Sequence, residues 1–207
     1  MPKLDPKKQL PALYRPAPEP HLVDVPPLRY AMTDGRGAPG SPDFQRAIEA
    51  LFTVSYQAKF ALKKRGTDYA VMPLEALWWA DDMADFLDGR RDRWRWTLMI
   101  QQPAFVPAEL LEQARTAAVK KVGGPAAAAI RFEELPAHRC AQLLHTGPFS
   151  TEAPAIARLH AFIAEAAGVF VGQRHKHHEI YLSDFRRTAP EKLKTILRQP
   201  FIPASKP

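Results

Sequence analysis

The feature that most constrains this chain is that its second half runs through the same order of elements as its first, down to a proline break inside an opening strand. Val25-Pro26-Pro27-Leu28-Arg29 matches Leu135-Pro136-Ala137-His138-Arg139. Leu74-Glu75-Ala76-Leu77-Trp78 matches His178-Glu179-Ile180-Tyr181-Leu182, and a Gln-Pro pair closes an apolar strand at Gln102-Pro103 and again at Gln199-Pro200. Repetition of this kind means two supersecondary units that bury their apolar faces together.

The punctuation of each half supplies the elements. His21–Val25 alternates like a strand, Pro26-Pro27 marks a break or bulge, and Leu28–Met32 continues to a turn at Asp34-Gly35-Arg36-Gly37. Ser41-Pro42-Asp43 has the N-cap, first-position proline and early acid of a helix start, and the helix runs through Phe44, Ile48, Leu51, Phe52, Tyr56 and Phe60 to Gly66. Two strands follow, Tyr69–Trp79 interrupted by Pro73 and Arg93–Ile100, then a helix from Pro107 closed by Gly123-Gly124. In the second half Ile130–Gln142 is the strand with a proline inside it, and Thr146-Gly147-Pro148-Phe149 is the turn. Ser150 caps a helix ended by Gly168, His178–Leu182 and Leu193–Arg198 are the paired strands, and Thr188–Glu191 resembles a capping box.

These signals predict an α+β fold: two pseudo-repeated strand-helix-strand-strand units forming an antiparallel sheet, with helices on one face and a ligand cleft on the other. The Pro- and Lys-rich residues 1–20 read as an extended arm, and 21–207 as one domain of two repeats, about 21–106 and 128–203, joined by a helix over 108–122. Period-two alternation then sorts side chains by face. Ile180 and Leu182 should meet the helices, while His177, Glu179 and Tyr181 should face the cleft; in the first half Glu75 shares a face with Trp79, and Trp78 takes the other.

Composition removes several function classes. The net charge of +7 and pI near 9.6 come from short clusters such as Lys63-Lys64-Arg65 and Lys120-Lys121 near helix ends, so direct nucleic-acid binding is not expected. No run approaches the roughly 18 apolar residues of a membrane helix. The basic N-terminus lacks the apolar stretch of a secretory signal, and a cytoplasmic protein is the simplest reading. Cys140 stands alone in an apolar segment, a buried small hydrophobe rather than a nucleophile. His175, His177 and His178 lack an acidic partner at metal-binding spacing and read as a polar hairpin tip, so neither metal nor cofactor is predicted.

Several segments together resemble the GyrI-like small-molecule-binding proteins, related to the effector-binding domain of BmrR-type multidrug regulators. They are Leu10-Pro11-Ala12-Leu13-Tyr14, Asp34-Gly35-Arg36-Gly37, Ser55–Phe60, Pro73–Trp79, Trp96–Ile100 and Glu179-Ile180-Tyr181-Leu182-Ser183-Asp184, spread over nearly the whole chain. The resemblance implies the two-repeat fold, a cleft for bulky aromatic or cationic compounds, and a charged floor at Glu179. It also implies an alternative activity, because some stand-alone members resemble hydrolases that open the cyclopropane ring of DNA-alkylating natural products. The chain departs from close relatives at Ala76, where glycine is expected.

A partly desolvated carboxylate at Glu179 suits either role: it can neutralise a delocalised cation, or take a proton from water. For water addition, Glu179 and Tyr181 are the catalytic candidates, with Tyr181 hydrogen-bonding the leaving oxygen. For binding, the candidates are Trp78, Trp79, Trp96, Tyr56, Phe60, Glu75, Phe149 and His145, which offer stacking surface and polar contacts. The ordinary reading of the four tryptophans is cross-strand packing in one hairpin, and that of Glu179 is pairing with a neighbouring Arg or Lys. The sequence does not fix the oligomeric state.

Overall fold

In the computed structural model, which describes residues 3–122 and 124–204, the chain passes through seven helices and ten strands. In order these are α1 (Pro6–Gln9), α2 (Pro11–Tyr14), β1 (His21–Val25), β2 (Leu28–Arg36), α3 (Pro42–Lys64), β3 (Leu74–Trp79), α4 (Ala84–Leu87) and β4 (Arg95–Gln101). Then follow α5 (Ala108–Val122), α6 (Pro125–Ala128), β5 (Arg131–Leu135), β6 (His138–Thr146), α7 (Ala153–Glu165), β7 (Gly168–Val169), β8 (His177–Tyr181), β9 (Lys194–Pro200) and β10 (Ile202–Pro203). Residues 1–2 of the arm, Gly123 of the helix stop and residues 205–207 of the domain lie outside the described residues.

Eight strands form one antiparallel sheet in the order β1-β6-β9-β8-β3-β4-β2-β5, the α+β architecture that the repeat predicts. The proline breaks explain its edges. A proline cannot donate to a ladder, so the opening strand of each half is cut in two, and the pieces are free to pair differently. β1 leaves its own half to pair with β6, and β5 leaves its half to pair with β2. Each repeat thereby gives its first strand to the other.

Helix α3 keeps its predicted start, with Ser41 Oγ accepting from the Phe44 amide and Pro42 in the first turn. Helix α7 starts later than Ser150 implies. Phe149–Thr151 form a 3₁₀ turn, and α7 begins at Ala153, where Pro154 sits in the first turn at no hydrogen-bond cost. Gly168 is not its stop. The left-handed residue is Ala167 (φ 50°), and Gly168 is instead a close approach, since a Cβ there would lie 2.5 Å from Phe201 and 2.8 Å from Ile163. Likewise Asp34-Gly35-Arg36 is strand rather than turn, because Gly35 lets the Trp96 ring lie where a Cβ would be, 2.0 Å away.

Helices α3 and α7 lie on the same face of the sheet. Phe44 of α3 stacks on Trp78 and meets Trp96 edge-on, and Leu159 and Ile163 of α7 pack on Ala141, Leu143 and Leu197. Helix α3 covers β2 and β4, while α7 covers β6 and β9. The central strands β3 and β8 are left between them as the floor of a trough, so the cleft shares the helices' face of the sheet instead of taking the opposite one, and it is the face of Trp78, Glu179 and Tyr181, not that of Ile180, on which α3 and α7 lie. The opposite face is covered at its centre by the N-terminal arm. That arm is not simply extended: Leu13 and Tyr14 are buried, the Leu13 and Ala12 carbonyls accept from Arg198 and Gln142, and Leu4 bridges Tyr69. Its prolines forbid a long element, but two apolar anchors suffice to dock it.

The ladders also fix which residues of the two halves are equivalent. Leu28 and His138 open β2 and β6 after the proline breaks; four residues on, Met32 and Gln142 pair with Met99 and Arg198. Those pair in turn with Glu75 and His178. Glu75 is therefore the counterpart of His178, Ala76 of Glu179, and Trp78 of Tyr181. Aligning Glu75 with Glu179 by residue type slips the register by one, and a one-residue slip turns every side chain to the other face.

Candidate functional site

Ala76 and Glu179 face each other in register at the middle of the trough, with Trp78, His177 and Tyr181 on the same face. The side chain of Glu179 is 13% exposed. Its Oε2 accepts from the Tyr181 hydroxyl at 2.7 Å, and His177 Nε2 lies 3.6 Å from its Oε1. Tyr181 Oη in turn accepts from Trp78 Nε1 at 3.2 Å. Burial, and then the Glu179 charge, hold the Tyr181 phenol well above its ordinary pKa, so it remains a donor. The result is a directed chain, indole N–H to phenol O–H to carboxylate. The hydroxyl proton of Tyr181 is thus committed to Glu179 in this structure rather than free for a leaving oxygen.

Aromatic side chains close over this group. Phe149 meets Tyr181 edge-on at 5.7 Å, and Phe185 meets both within 6.0 Å. From Tyr181 a groove of about 980 Å³ runs beside α3, lined by Phe52, Tyr56, Phe60, Leu74 and Phe185. Tyr56 and Phe60 are 43% and 52% exposed and stack on each other at 6.0 Å, one helical turn apart. Exposed aromatics of this size lining a groove form a stacking surface for a flat apolar compound. Glu179 itself lies behind Tyr181 rather than on the groove wall.

A second carboxyl belongs to this centre, and sequence reasoning missed it. Glu152, at the start of α7, is 6% exposed, sits beside Thr195 of β9 and has an Oε1 with no hydrogen-bond partner. Burial, then the nearby charge of Glu179, push its pKa up to about 9, against a smaller lowering by Thr195. In the sequence it is an acid entering a helix, the ordinary complement to a helix dipole, and nothing nearby signals burial. Phe185 was missed for a similar reason, standing one residue beyond the Glu179–Asp184 segment.

Other candidates fall elsewhere. Glu75 points to the opposite face and is fully buried, accepting from Tyr14 Oη at 3.0 Å and bonded to His178 Nε2 at 2.8 Å. His178 is not at a hairpin tip: burial lowers its pKa to about 4 despite Glu75, so it is neutral near pH 7 and its Nε2–H donates to the carboxylate. The buried Arg198 supplies the positive charge of this layer and binds Gln142 Oε1. Trp96 is core, under Phe44 and beside Gly35. Trp79 lies on the face away from the trough, with Lys176 Nζ 3.6 Å above its ring. Trp78 is in the floor, but Phe44 covers its ring, so it offers its Nε1 rather than a stacking face. His145 braces the turn that carries Phe149, contacting the Pro148 carbonyl and Thr151 Oγ1. Cys140 is buried, its thiol pushed up to about 12 by burial.

Among the described residues no group of three or more His, Cys, Asp or Glu is placed to hold a metal ion, and no helix is long and apolar enough to cross a membrane.

Residues 18–200 match the GyrI-like small molecule binding domain. The chain is similar in structure to an uncharacterized conserved protein from Listeria innocua, at 36% identity and a TM-score of 0.87, covering 97% of this chain and 100% of that one. It is similar also to a protein described as a hydrolase from Listeria innocua, at 35% identity and a TM-score of 0.82, with the same coverage. The C-terminal domain of EcmrR shares the fold, with a TM-score of 0.56 at 11% identity over 90% of this chain and 98% of that one. No curated protein matches the sequence.

Proposed function

The chain belongs to the GyrI-like small-molecule-binding family, and we propose that it takes a planar aromatic compound into the trough and adds water to an electrophilic, strained ring of it. The observation that carries this reading is Glu179, a carboxylate only 13% exposed, oriented by the Tyr181 hydroxyl and lying behind the tyrosine at which an aromatic groove ends. Its likeness over almost full length to a Listeria protein described as a hydrolase supports a reaction rather than binding alone.

In this mechanism Glu179 takes a proton from a water while the water oxygen bonds to the ring carbon. Tyr181 fixes the carboxylate through Oε2, leaving Oε1 for the water. The ring lies against Tyr56, Phe60, Phe149 and Phe185, and positioning of this kind accounts for much of the rate of any bimolecular step. The test is incubation with a cyclopropane-bearing alkylator and mass spectrometry for the gain of one water. Turnover by the wild type that is lost in Glu179→Ala is expected; no turnover, or full turnover by the variant, rejects the mechanism.

A second reading is a receptor for aromatic cations. It is favoured by the absence, among the described residues, of any Lys or Arg paired with Glu179, which leaves a partly desolvated carboxylate to attract a delocalised positive charge. Titration with lipophilic cationic dyes tests it. Equal affinity in wild type and Glu179→Gln removes Glu179 from that role.

A further inference from the structure

Four large apolar side chains are exposed around one node of the molecule, Asp68 and Tyr69, where the chain leaves α3. Leu4, Tyr56, Phe60 and Phe105 are 38%, 43%, 52% and 37% exposed. Leu4 of the arm bridges Tyr69, its amide donating to the Asp68 carbonyl at 2.9 Å and its carbonyl accepting from the Ala70 amide at 2.8 Å. Phe105 meets the Tyr69 ring edge-on at 5.5 Å. Lys59, bound to Asp68, has its Nζ 5.6 Å from the Phe60 ring and 6.0 Å from that of Tyr69, and Tyr56 stacks on Phe60. Single exposed apolar residues are ordinary on a protein surface, but a group of this size marks a contact.

Cations surround the same node. Lys63 shares Asp68 with Lys59, and Lys64 extends the stripe of Phe52, Tyr56 and Phe60 by one more turn of α3. Lys7 of α1 lines the same groove as Phe60, and Lys3 and Lys8 stand beside Leu4 and Lys7 in the arm. Among the described residues Lys3, Lys7, Lys8, Lys64 and Arg65 are paired with no carboxylate. The acids of this region are already engaged, Asp5 in capping α1 and Asp68 in binding two lysines. Positive charge is therefore uncompensated at the place where aromatic and aliphatic side chains meet water.

We propose that this end of the molecule docks on the surface of an anionic phospholipid bilayer, with Phe60 and Leu4 entering the headgroup boundary and the lysines facing the lipid phosphates and carboxylates. Unpaired basic residues together with exposed apolar ones are the two contributions that hold a protein at such a surface. The anchors come from three separate segments, the arm, the end of α3 and the stretch before α5, so they need no matching shape in the partner. A fluid surface accepts such anchors, whereas an acidic protein would have to complement them. The contact is peripheral, in keeping with helices too short or too polar to cross the membrane among the described residues. The groove that begins at Tyr181 runs past Phe52 and Tyr56 to Phe60 and Lys7, so its outer end lies within the docking surface. A lipophilic compound dissolved in the bilayer then reaches the groove without crossing water. The docking itself stands without the reaction proposed at Glu179.

The test is co-sedimentation of the full chain with phosphatidylcholine vesicles that contain or lack phosphatidylserine. Wild type should bind the vesicles with phosphatidylserine, ignore phosphatidylcholine alone, and be released in about 1 M salt, where the Debye length shrinks to about 3 Å. Lys8→Glu with Lys64→Glu should weaken binding by about tenfold or more. Arg36→Glu with Arg174→Glu makes the same charge change beyond the Trp79 end of β3, away from the node, and should stay within about threefold of wild type. Phe60→Ser should weaken binding by about threefold or more, because apolar entry adds to the attraction of the charges. No binding by wild type, equal losses in the two charge variants, or unchanged affinity in Phe60→Ser overturns the proposal. Binding of polyglutamate without any binding of the vesicles also overturns it and assigns the surface to an acidic protein.

Discussion

Tyr181 donates its hydroxyl proton to Glu179 Oε2 across 2.7 Å, although the two residues are only two apart on one strand. Side chains at i and i+2 stand on the same face, so the carboxylate is oriented by a neighbour rather than by a distant element. Tyr181→Phe removes this donor and leaves Trp78 Nε1 without its acceptor. The expected cost is about 1–3 kcal/mol of stability for the unpaired indole N–H, read by urea unfolding. If Glu179 is the base, kcat should also fall, by about 10²-fold, with KM changing less. Unchanged turnover in a folded variant would mean that Tyr181 does not orient the base.

The buried pair on the other face makes an acid-side prediction. His178 has a folded pKa of about 4 against an ordinary 6.5, so the unfolded chain binds the extra proton first as pH falls. Its contribution is fully present above pH 6.5 and is lost as pH drops from 6.5 towards 4, by up to about 3 kcal/mol. The contribution is read as the difference in denaturant midpoint between wild type and His178→Asn across that window, because Glu152 acts with the opposite sign above pH 4.5. In His178→Asn the starting stability should be lower, and its shortfall against wild type should shrink as pH falls across the window; a constant shortfall would assign the effect to other groups.

The antiparallel α+β sheet and its two-unit construction were legible because proline breaks and alternation repeat in both halves. The consequence of the breaks was not legible. Pro26-Pro27 and Pro136 show that a strand is interrupted, but only long-range pairing decides that β1 and β5 cross to the opposite half. Faces were harder than elements. Matching Glu75 to Glu179 is natural by residue type, yet the ladder equates Glu75 with His178, and a single-residue slip sends Glu75 under the arm. Glu179 and Tyr181 were found because alternation puts them together on one strand. Glu152 was not, because it reaches that place through a 3₁₀ turn and a delayed helix start, which carry no periodic signal.

The aromatic cluster predicts how ligands are held. Phe149 is 42% exposed and contacts Tyr181 and Phe185 only edge-on, so its loss should disturb the fold little. Phe149→Ala and Phe185→Ala should each weaken binding of a planar dye by about 0.5–1.5 kcal/mol, measured by quenching of tryptophan fluorescence. Phe162→Ala, in the separate apolar cluster under α7, serves as the control. Equal losses in all three variants would indicate general loosening rather than stacking in the trough.

Glu152 makes the opposite pH prediction from His178, and the two are separated by sign and by the span above pH 6.5, where His178 no longer contributes. Its folded pKa, raised from 4.5 to about 9, means that the folded state holds a proton the unfolded state has released. The sign follows from linkage: stability is fully present below pH 4.5 and declines as pH rises through 9, where the buried carboxyl must ionise beside Glu179. Wild-type denaturant midpoints should therefore fall between pH 6.5 and 9, above the His178 window. Glu152→Gln cannot ionise and should flatten that limb, becoming more stable than wild type at high pH. Glu179→Gln removes the repelling charge and should make the alkaline decline shallower without abolishing it, because burial is the larger cause. An alkaline limb unaltered in both variants would show that the two carboxyls do not share this environment.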